Sequence, residues 1–335
     1  MTSFNVVAFE NAVGNSRDLA LITAALAALG HPVSVTRVSV QARRRRRSEI
    51  VAWLAPARQW LGRRRAAGGR ALRPDVNLML EHVWPEQLHT AAQNVVVPNP
   101  EWFDAGDQAL LKLVDHAWAK TRYAAGIFGA LGCRTSFIGF DSEDRYDAAV
   151  PREVGFFHLA GKSRMKGTTG LVRLWARHRE WPRLTVVHSR RAAFKVVAAA
   201  NIQYLSSFLD DADLRTLQNS HVFHVCPSET EGWGHYLPEA MSTGAVVLAT
   251  DAAPMNEQVG ADRGLLVPAR AYGRQHLAVT HVCDPEALER AVERALGMDG
   301  AERLRLGAAA RQWFVDNKAG FGARLSGALA ELGAA

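Results

Sequence analysis

The sequence predicts an α/β protein made of two doubly wound parallel-sheet domains, and three features point there. Short apolar runs alternate with helix-period stretches along the whole chain, the mark of βαβ units. With 335 residues, 48% of them hydrophobic, the chain can fill two cores of ordinary size. A polar, acidic stretch at 141–147, closed by Pro151, breaks the alternation near the middle and reads as an interdomain linker. The expected division is an N-terminal domain over 1–150, a C-terminal domain over 151–315, and a terminal helix over 316–335.

In the first half the apolar runs that read as strands are 6–9, 32–38, 76–80, 95–97, 116–119 and 134–140. Between the first two, Leu19, Ile22, Leu26 and Leu29 recur at helical spacing, so 18–29 is predicted as a helix, stopped by Gly30. In the second half the strands are 155–160, 184–188, 221–226 and 245–250. A helix over 169–179 ends ahead of Pro182, and Asp284-Pro285-Glu286 opens another with Leu288, Val292 and Leu296 on one face. The last helical stretch runs from about 301 to 332.

Three cysteines, Cys133, Cys226 and Cys283, have no paired spacing and no CxxC, so neither a disulfide framework nor a zinc site is indicated. Met1 leads straight into the apolar run at 5–9, which lacks the flanks of a signal peptide, and no apolar run approaches the ~18 residues that span a bilayer. The expectation is a cytoplasmic protein, or one peripheral on the inner face of the membrane. A formal charge of +7 favours an anionic partner. Arginines at 43–47 and 63–65 bracket Ile50, Trp53, Leu54, Trp60 and Leu61, a stripe interrupted at Pro56. From Arg43 to Arg65 three readings stay open: an amphipathic contact with anionic lipid or a polyanionic acceptor, a solvated loop with a core-facing stripe, and, least favoured, a nucleic-acid surface.

The densest chemistry lies in Pro227-Ser228-Glu229-Thr230-Glu231-Gly232-Trp233-Gly234-His235-Tyr236-Leu237-Pro238-Glu239-Ala240-Met241. Gly232 and Gly234 let backbone approach a ligand, and Pro238 suits the first turn of a helix whose free amides and positive dipole end favour a diphosphate. Glu239, just inside that helix, is placed to accept hydrogen bonds from ribose hydroxyls, and Glu231 from hydroxyls of a sugar. The bland alternative is a pair of solvated surface carboxylates.

These glutamates, with Gly-aromatic-Gly between them, resemble the Glu-x7-Glu signature of the retaining family 4 glycosyltransferases (glycosyl transferases group 1). Downstream, 244–250, 255–259 and 264–267 look like the strand, loop and return strand that follow the motif in that family. Upstream, Phe156-Phe157-His158-Leu159-Ala160-Gly161-Lys162-Ser163-Arg164-Met165-Lys166-Gly167 resembles the family's first C-terminal-domain strand and basic diphosphate-binding turn. Lys162 stands where the family commonly has arginine, which exchanges a bidentate fork for a point charge. The likeness covers about residues 154 to 270.

The resemblance implies the GT-B fold, two Rossmann-like domains facing a cleft with the 316–335 helix crossing back to the N-terminal domain, and transfer of a sugar from a nucleotide-diphosphate sugar to an acceptor hydroxyl with retention. It implies no cofactor beyond that co-substrate and no metal: no Asp-x-Asp is placed for a divalent ion, and two lysines with a helix end replace it. The implied catalytic residues are Glu231 and Lys166. Donor binding falls to Glu239, Lys162, Gly232, Trp233, Gly234, His235 and Tyr236, with Leu205 in the segment whose backbone meets the base. In the first domain Gly14, Asn15, Glu81, His82 and Asn99 end strands and are candidates for the acceptor. Asn99 stands roughly where many relatives have a histidine, so no general base is assigned. The acceptor is a sugar, a lipid-linked or an anionic molecule, as in cell-surface glycan or glycolipid synthesis. Two other functions remain open: a nucleotide-sugar hydrolase or epimerase on the same fold, and a basic polyanion- or membrane-binding protein with a vestigial cleft.

Overall fold

The computed structural model describes residues 1–9, 14–39, 73–190, 194–206 and 209–333, so the arginine-rich segment 43–65 lies outside the described residues. The chain divides into two compact units. The first gathers Met1–Asp141, Gln275–Ala278 and Ala319–Ala335, and the second gathers Ser142–Arg274 and Val279–Lys318.

The first unit holds six strands: β1 (Phe4–Ala8), β2 (Val33–Arg37), β3 (Val76–Glu81), β4 (Gln93–Pro98), β5 (His116–Ala119) and β6 (Thr135–Phe137). They pair in parallel in the order β2-β1-β3-β4-β5-β6. β1, β3 and β5 are buried along nearly their whole length, as continuous apolar runs in a sheet covered on both faces should be. Helix α1 (Gly14–Ala28) inserts Leu19, Ile22 and Leu26 into the core and ends ahead of Gly30, whose φ of +82° is the left-handed stop the sequence suggested. Two helices missed in the sequence reading, α2 (Ala105–Leu110) and α3 (Arg122–Ala130), are capped by the side chains of Asp104 and Thr121.

The second unit carries β7 (Glu153–Gly161), β8 (Leu184–His188), β9 (Ile202–Leu205), β10 (His221–Cys226), β11 (Val246–Asp251), β12 (Gly264–Gln275) and β13 (Ala278–Cys283), in the order β13-β12-β11-β10-β7-β8-β9. From β12 to β9 every neighbouring pair is parallel. Helices α4 (Thr168–Arg177), α5 (Asp211–Ser220), α6 (Tyr236–Ser242), α7 (Met255–Gln258), α8 (Pro285–Gly297) and α9 (Gly300–Gly333) complete the chain. Phe156 stacks on Phe223 at 4.8 Å between centroids and meets Trp175 edge-on, so β7, β10 and α4 share one aromatic core. Among the described residues no helix is long and apolar enough to cross a membrane.

Two departures from the sequence reading have physical causes. The second unit begins at Ser142, so 142–150, read as a linker, is part of it. Arg145 is 3% exposed: its backbone N–H donates to Ser242 Oγ (2.9 Å), Nε to Gln218 Oε1 (2.8 Å) and Nη1 to Asp211 Oδ1 (2.8 Å). Ser142 and Arg145 of that stretch are buried in a polar network, while Asp144 and Tyr146 stay exposed. The return strand read at 264–267 continues to Gln275 and turns back through His276 and Leu277 into β13. A two-residue connection makes that pair an antiparallel hairpin.

Candidate functional site

Open α/β sheets bind ligands at the carboxyl ends of strands where the strand order reverses. In the second unit the order departs in opposite directions from β7 and β10, so the loops after those two strands, 162–167 and 227–235, lie at the reversal. Those are the loops with Lys162, Lys166 and Glu231.

The loops are locked together by glycine. Gly167 has φ +65°, and a Cβ there would sit 2.1 Å from the Pro227 carbonyl oxygen. Gly234 has φ +74°, and its Cβ would come within 2.9 Å of Glu231 Cγ. Only glycine allows both the left-handed backbone and the close approach. Lys166 Nζ then reaches Glu231 Oε1 at 2.5 Å, with both side chains largely buried, and stands 3.5 Å from the centroid of the Tyr236 ring. Ser228 Oγ donates to the same Glu231 oxygen at 2.5 Å. Its one hydrogen thus committed, Ser228 Oγ accepts from the Tyr236 hydroxyl. Burial pushes the Tyr236 phenol well above its ordinary pKa, so it stays a neutral donor. Burial also pushes up the Cys226 thiol beside it, which keeps it un-ionised.

Glu239 is brought close in the chain but not to the surface. Its side chain is fully buried and accepts a hydrogen bond from Gln218 Nε2 at 3.1 Å, and Gln218 is itself held by Arg145. The group is thus positioned from behind by a polar relay, and it is not the solvated surface carboxylate of the bland reading. Trp233 and His235 turn to Ser142, whose Oγ accepts from Trp233 Nε1 (3.0 Å) and lies 2.8 Å from His235 Nδ1. Gly232 is buried, Leu205 closes β9, and Lys162 is exposed. Helix α6 has only seven residues, with Pro238 in its first turn as the sequence suggested.

In the first unit the order reverses between β1 and β3, where the following loops carry Gly14 and Glu81-His82. Gly14 opens α1; the side chain of Asn15 lies outside the described residues. Glu81 has φ +66°, a left-handed conformation costly for a non-glycine residue and concentrated at functional sites. His82, 4% exposed, is fixed by Asp107: Nδ1 lies 2.9 Å from Asp107 Oδ2, while Asp107 Oδ1 accepts from the Val83 amide at 2.9 Å. His82 Nε2 is 3.7 Å from Glu81 Oε2. Asn99 is half-buried, with Oδ1 shielded from solvent. Asp107, Ser228, Gln218 and Arg145 were not picked out from sequence. Asp104 and Asp107 form a capping box and Ser228 lies within the motif itself, signals that were available, whereas Gln218 and Arg145 are joined to the site only through space.

Among the described residues no group of three or more His, Cys, Asp or Glu side chains is arranged to hold a metal ion. What the second unit offers is a carboxylate and an ammonium in contact beside a buried phenol, at a sheet position made for ligands.

Residues 198–313 match the family model of glycosyl transferases group 1. The glycosyltransferase match takes in β9, α5, β10, the 227–241 motif and the start of α9, and stops short of β7 and the Lys162–Lys166 turn. Sucrose-phosphate synthase from Thermosynechococcus elongatus superposes with a TM-score of 0.70 at 16% identity, covering 100% of each chain. A glycosyltransferase from Rickettsia africae gives 0.70 at 13% identity over 99% of this chain and 98% of that one. The trehalose-6-phosphate protein from E. coli bound with UDP-2-fluoro glucose gives 0.68 at 14% identity over 99% of each. No curated protein matches the chain in sequence. At such identities the structural likeness establishes the GT-B fold, and the family match supports sugar transfer as the activity.

Proposed function

We propose that this protein transfers a glycosyl residue from a nucleoside-diphosphate sugar to an acceptor hydroxyl with retention at the anomeric carbon. The observation that carries the reading is the Lys166–Glu231 contact beneath Tyr236, at the strand-order reversal of a unit that matches glycosyl transferases group 1. On this reading the donor belongs to the second unit and the acceptor to the first. Lys166 and the more exposed Lys162 neutralise the diphosphate, Glu231 orients the sugar, and Glu239 takes the ribose once its buried carboxylate is uncovered. The amides of Gly234 and His235 assist at the phosphates.

The bond from the anomeric carbon to the phosphate oxygen breaks, and its electron pair leaves with the nucleoside diphosphate. The acceptor oxygen bonds to that carbon on the same face, and its proton passes to the departing phosphate oxygen. Negative charge gathers on the leaving group, so a pre-positioned ammonium stabilises the transition state more than the ground state. A diphosphate competes with Glu231 for Lys166, which frees the carboxylate for sugar hydroxyls. With lysines in that role the reaction needs no divalent ion, and EDTA should leave the rate unchanged.

A UDP sugar is the first donor to test, because one structural neighbour is bound with UDP-2-fluoro glucose. The acceptor is a sugar, a lipid-linked or an anionic molecule, met in the cytoplasm or at the inner membrane face. The test incubates the protein with UDP-, GDP-, ADP- and TDP-sugars, with and without acceptor panels, and follows products by mass spectrometry. Acceptor-dependent release of nucleoside diphosphate, abolished in Glu239→Ala with its fold intact, supports transfer. Equal release without acceptor would identify a hydrolase, and full activity in Glu239→Ala would overturn the site.

A further inference from the structure

A cavity of about 490 Å³ opens in the second unit on residues the transfer site does not use, a volume within the range of small-molecule pockets. None of Lys166, Glu231, Tyr236 or Glu239 lines it. Its apolar wall is made by Leu171 and Leu174 of α4 and by Pro285 and Leu288 of α8. Its rim is cationic, with Arg164 from the turn after β7 and Arg173 and Arg177 from α4. Arg177 is partly engaged by Glu289 at 3.6 Å. Three arginines stand against one carboxylate in the lining, Glu229, which accepts from the Tyr272 hydroxyl, so the balance around the opening is positive. Thr168, Thr169 and Gly170, the first residues of α4, also line the cavity, and Gly167 ahead of them offers no side-chain cap to their amides.

We propose that this cavity is a second small-molecule site, separate from the sugar-transfer site, that takes a phosphomonoester carrying an apolar body. Guanidinium groups match phosphate oxygens in a forked geometry, and the leucine wall removes the body from water. Arg164, which the sequence grouped with the diphosphate-binding lysines, serves this site and not theirs. The ligand therefore shares a loop with Lys166 and a strand end with Glu231 without touching either.

The probe is 1-naphthyl phosphate, with 1-naphthol and inorganic phosphate as its two halves, titrated into the full chain by calorimetry. Saturable one-to-one binding of the ester, at least tenfold tighter than either half, is expected. Arg173→Glu, at an exposed position that leaves the fold intact, should weaken it at least tenfold, and Leu288→Arg should do the same from the apolar side. Glu239→Ala should leave it within twofold, which separates this site from the transfer site whatever becomes of the latter. Absence of saturable binding, or binding indifferent to Arg173→Glu, overturns the proposal. So does binding lost in Glu239→Ala, because the ester would then occupy the transfer site.

Discussion

At the scale of single residues, two glycines with the same backbone conformation separate strain from contact. Gly161 (φ +58°) and Gly167 (φ +65°) bound the turn that carries Lys162 and Lys166. An alanine Cβ at 161 meets nothing within 4 Å, whereas at 167 it falls on the Pro227 carbonyl. Gly161→Ala should therefore cost only the left-handed backbone, about 1 kcal/mol, and Gly167→Ala about 2–4 kcal/mol, read from urea midpoints. Equal losses would show that the Pro227 contact does not fix the turn. The charged pair has its own signature: Lys166→Met and Glu231→Gln should each lower turnover by about 100-fold or more, with the double variant little worse than the poorer single one. Additive losses would mean that the two groups act independently. Lys166 and Glu231 were legible in the sequence because each sits in a recognisable run. The partners that hold Glu239 and His82 were not: Gln218 is 21 residues from Glu239 and Asp107 is 25 from His82, and a buried hydrogen bond across the fold leaves no local pattern.

At the scale of elements, histidines inside the second sheet make its packing sensitive to acid. His158 of β7 donates from Nδ1 to the Val225 carbonyl of β10 at 2.7 Å, and its Nε2 accepts from the Thr168 hydroxyl at the start of α4 at 2.8 Å. Burial holds its pKa down to about 4, and that of His224 in β10 to about 3. The unfolded chain takes up these protons below about pH 6.5, while the native chain refuses them until those lower values. Stability is therefore fully present above pH 6.5 and falls as pH drops toward 4, by up to about 1.4 kcal/mol per pH unit for each histidine. Urea midpoints at pH 7, 6, 5 and 4.5 test this, and His224→Gln should make the slope shallower. A flat profile would mean that neither ring is kept neutral by its surroundings. The strands over which the sequence and the structure coincide, His116–Ala119, Leu184–His188 and His221–Cys226, are short apolar runs bounded by polar residues. The β12–β13 hairpin was not legible. The outer half of β12 is exposed through Arg270, Tyr272 and Arg274, with no apolar alternation, and the turn places His276 at φ +50° where a glycine or asparagine would have announced it.

At the scale of the whole molecule, each unit repeats the same device, a parallel sheet whose strand order reverses beside loops rich in polar groups, yet only one of them matches glycosyl transferases group 1. The chain interleaves the units: Gln275–Ala278 and the end of α9 belong with the first, though most of their neighbours in sequence belong with the second. Unit membership therefore does not follow from position in the sequence, and the reading of 1–150, 151–315 and 316–335 could not foresee a hairpin tip leaving its own unit. A nucleoside diphosphate should nonetheless address one unit. If Lys166, Glu231 and Glu239 form its site, UDP at 100 times its Kd adds about 2.7 kcal/mol to the unit that binds it and nothing directly to the other. Hydrogen exchange with and without UDP resolves where that energy appears, because amides ordered by the ligand exchange through fewer openings. Protection should rise over 162–167, 201–206 and 227–242, while β1, β3 and β4 of the first unit exchange as before. Protection confined to residues 76–107 would instead assign the nucleotide to the Glu81-His82-Asp107 cluster and reverse the roles of the two units.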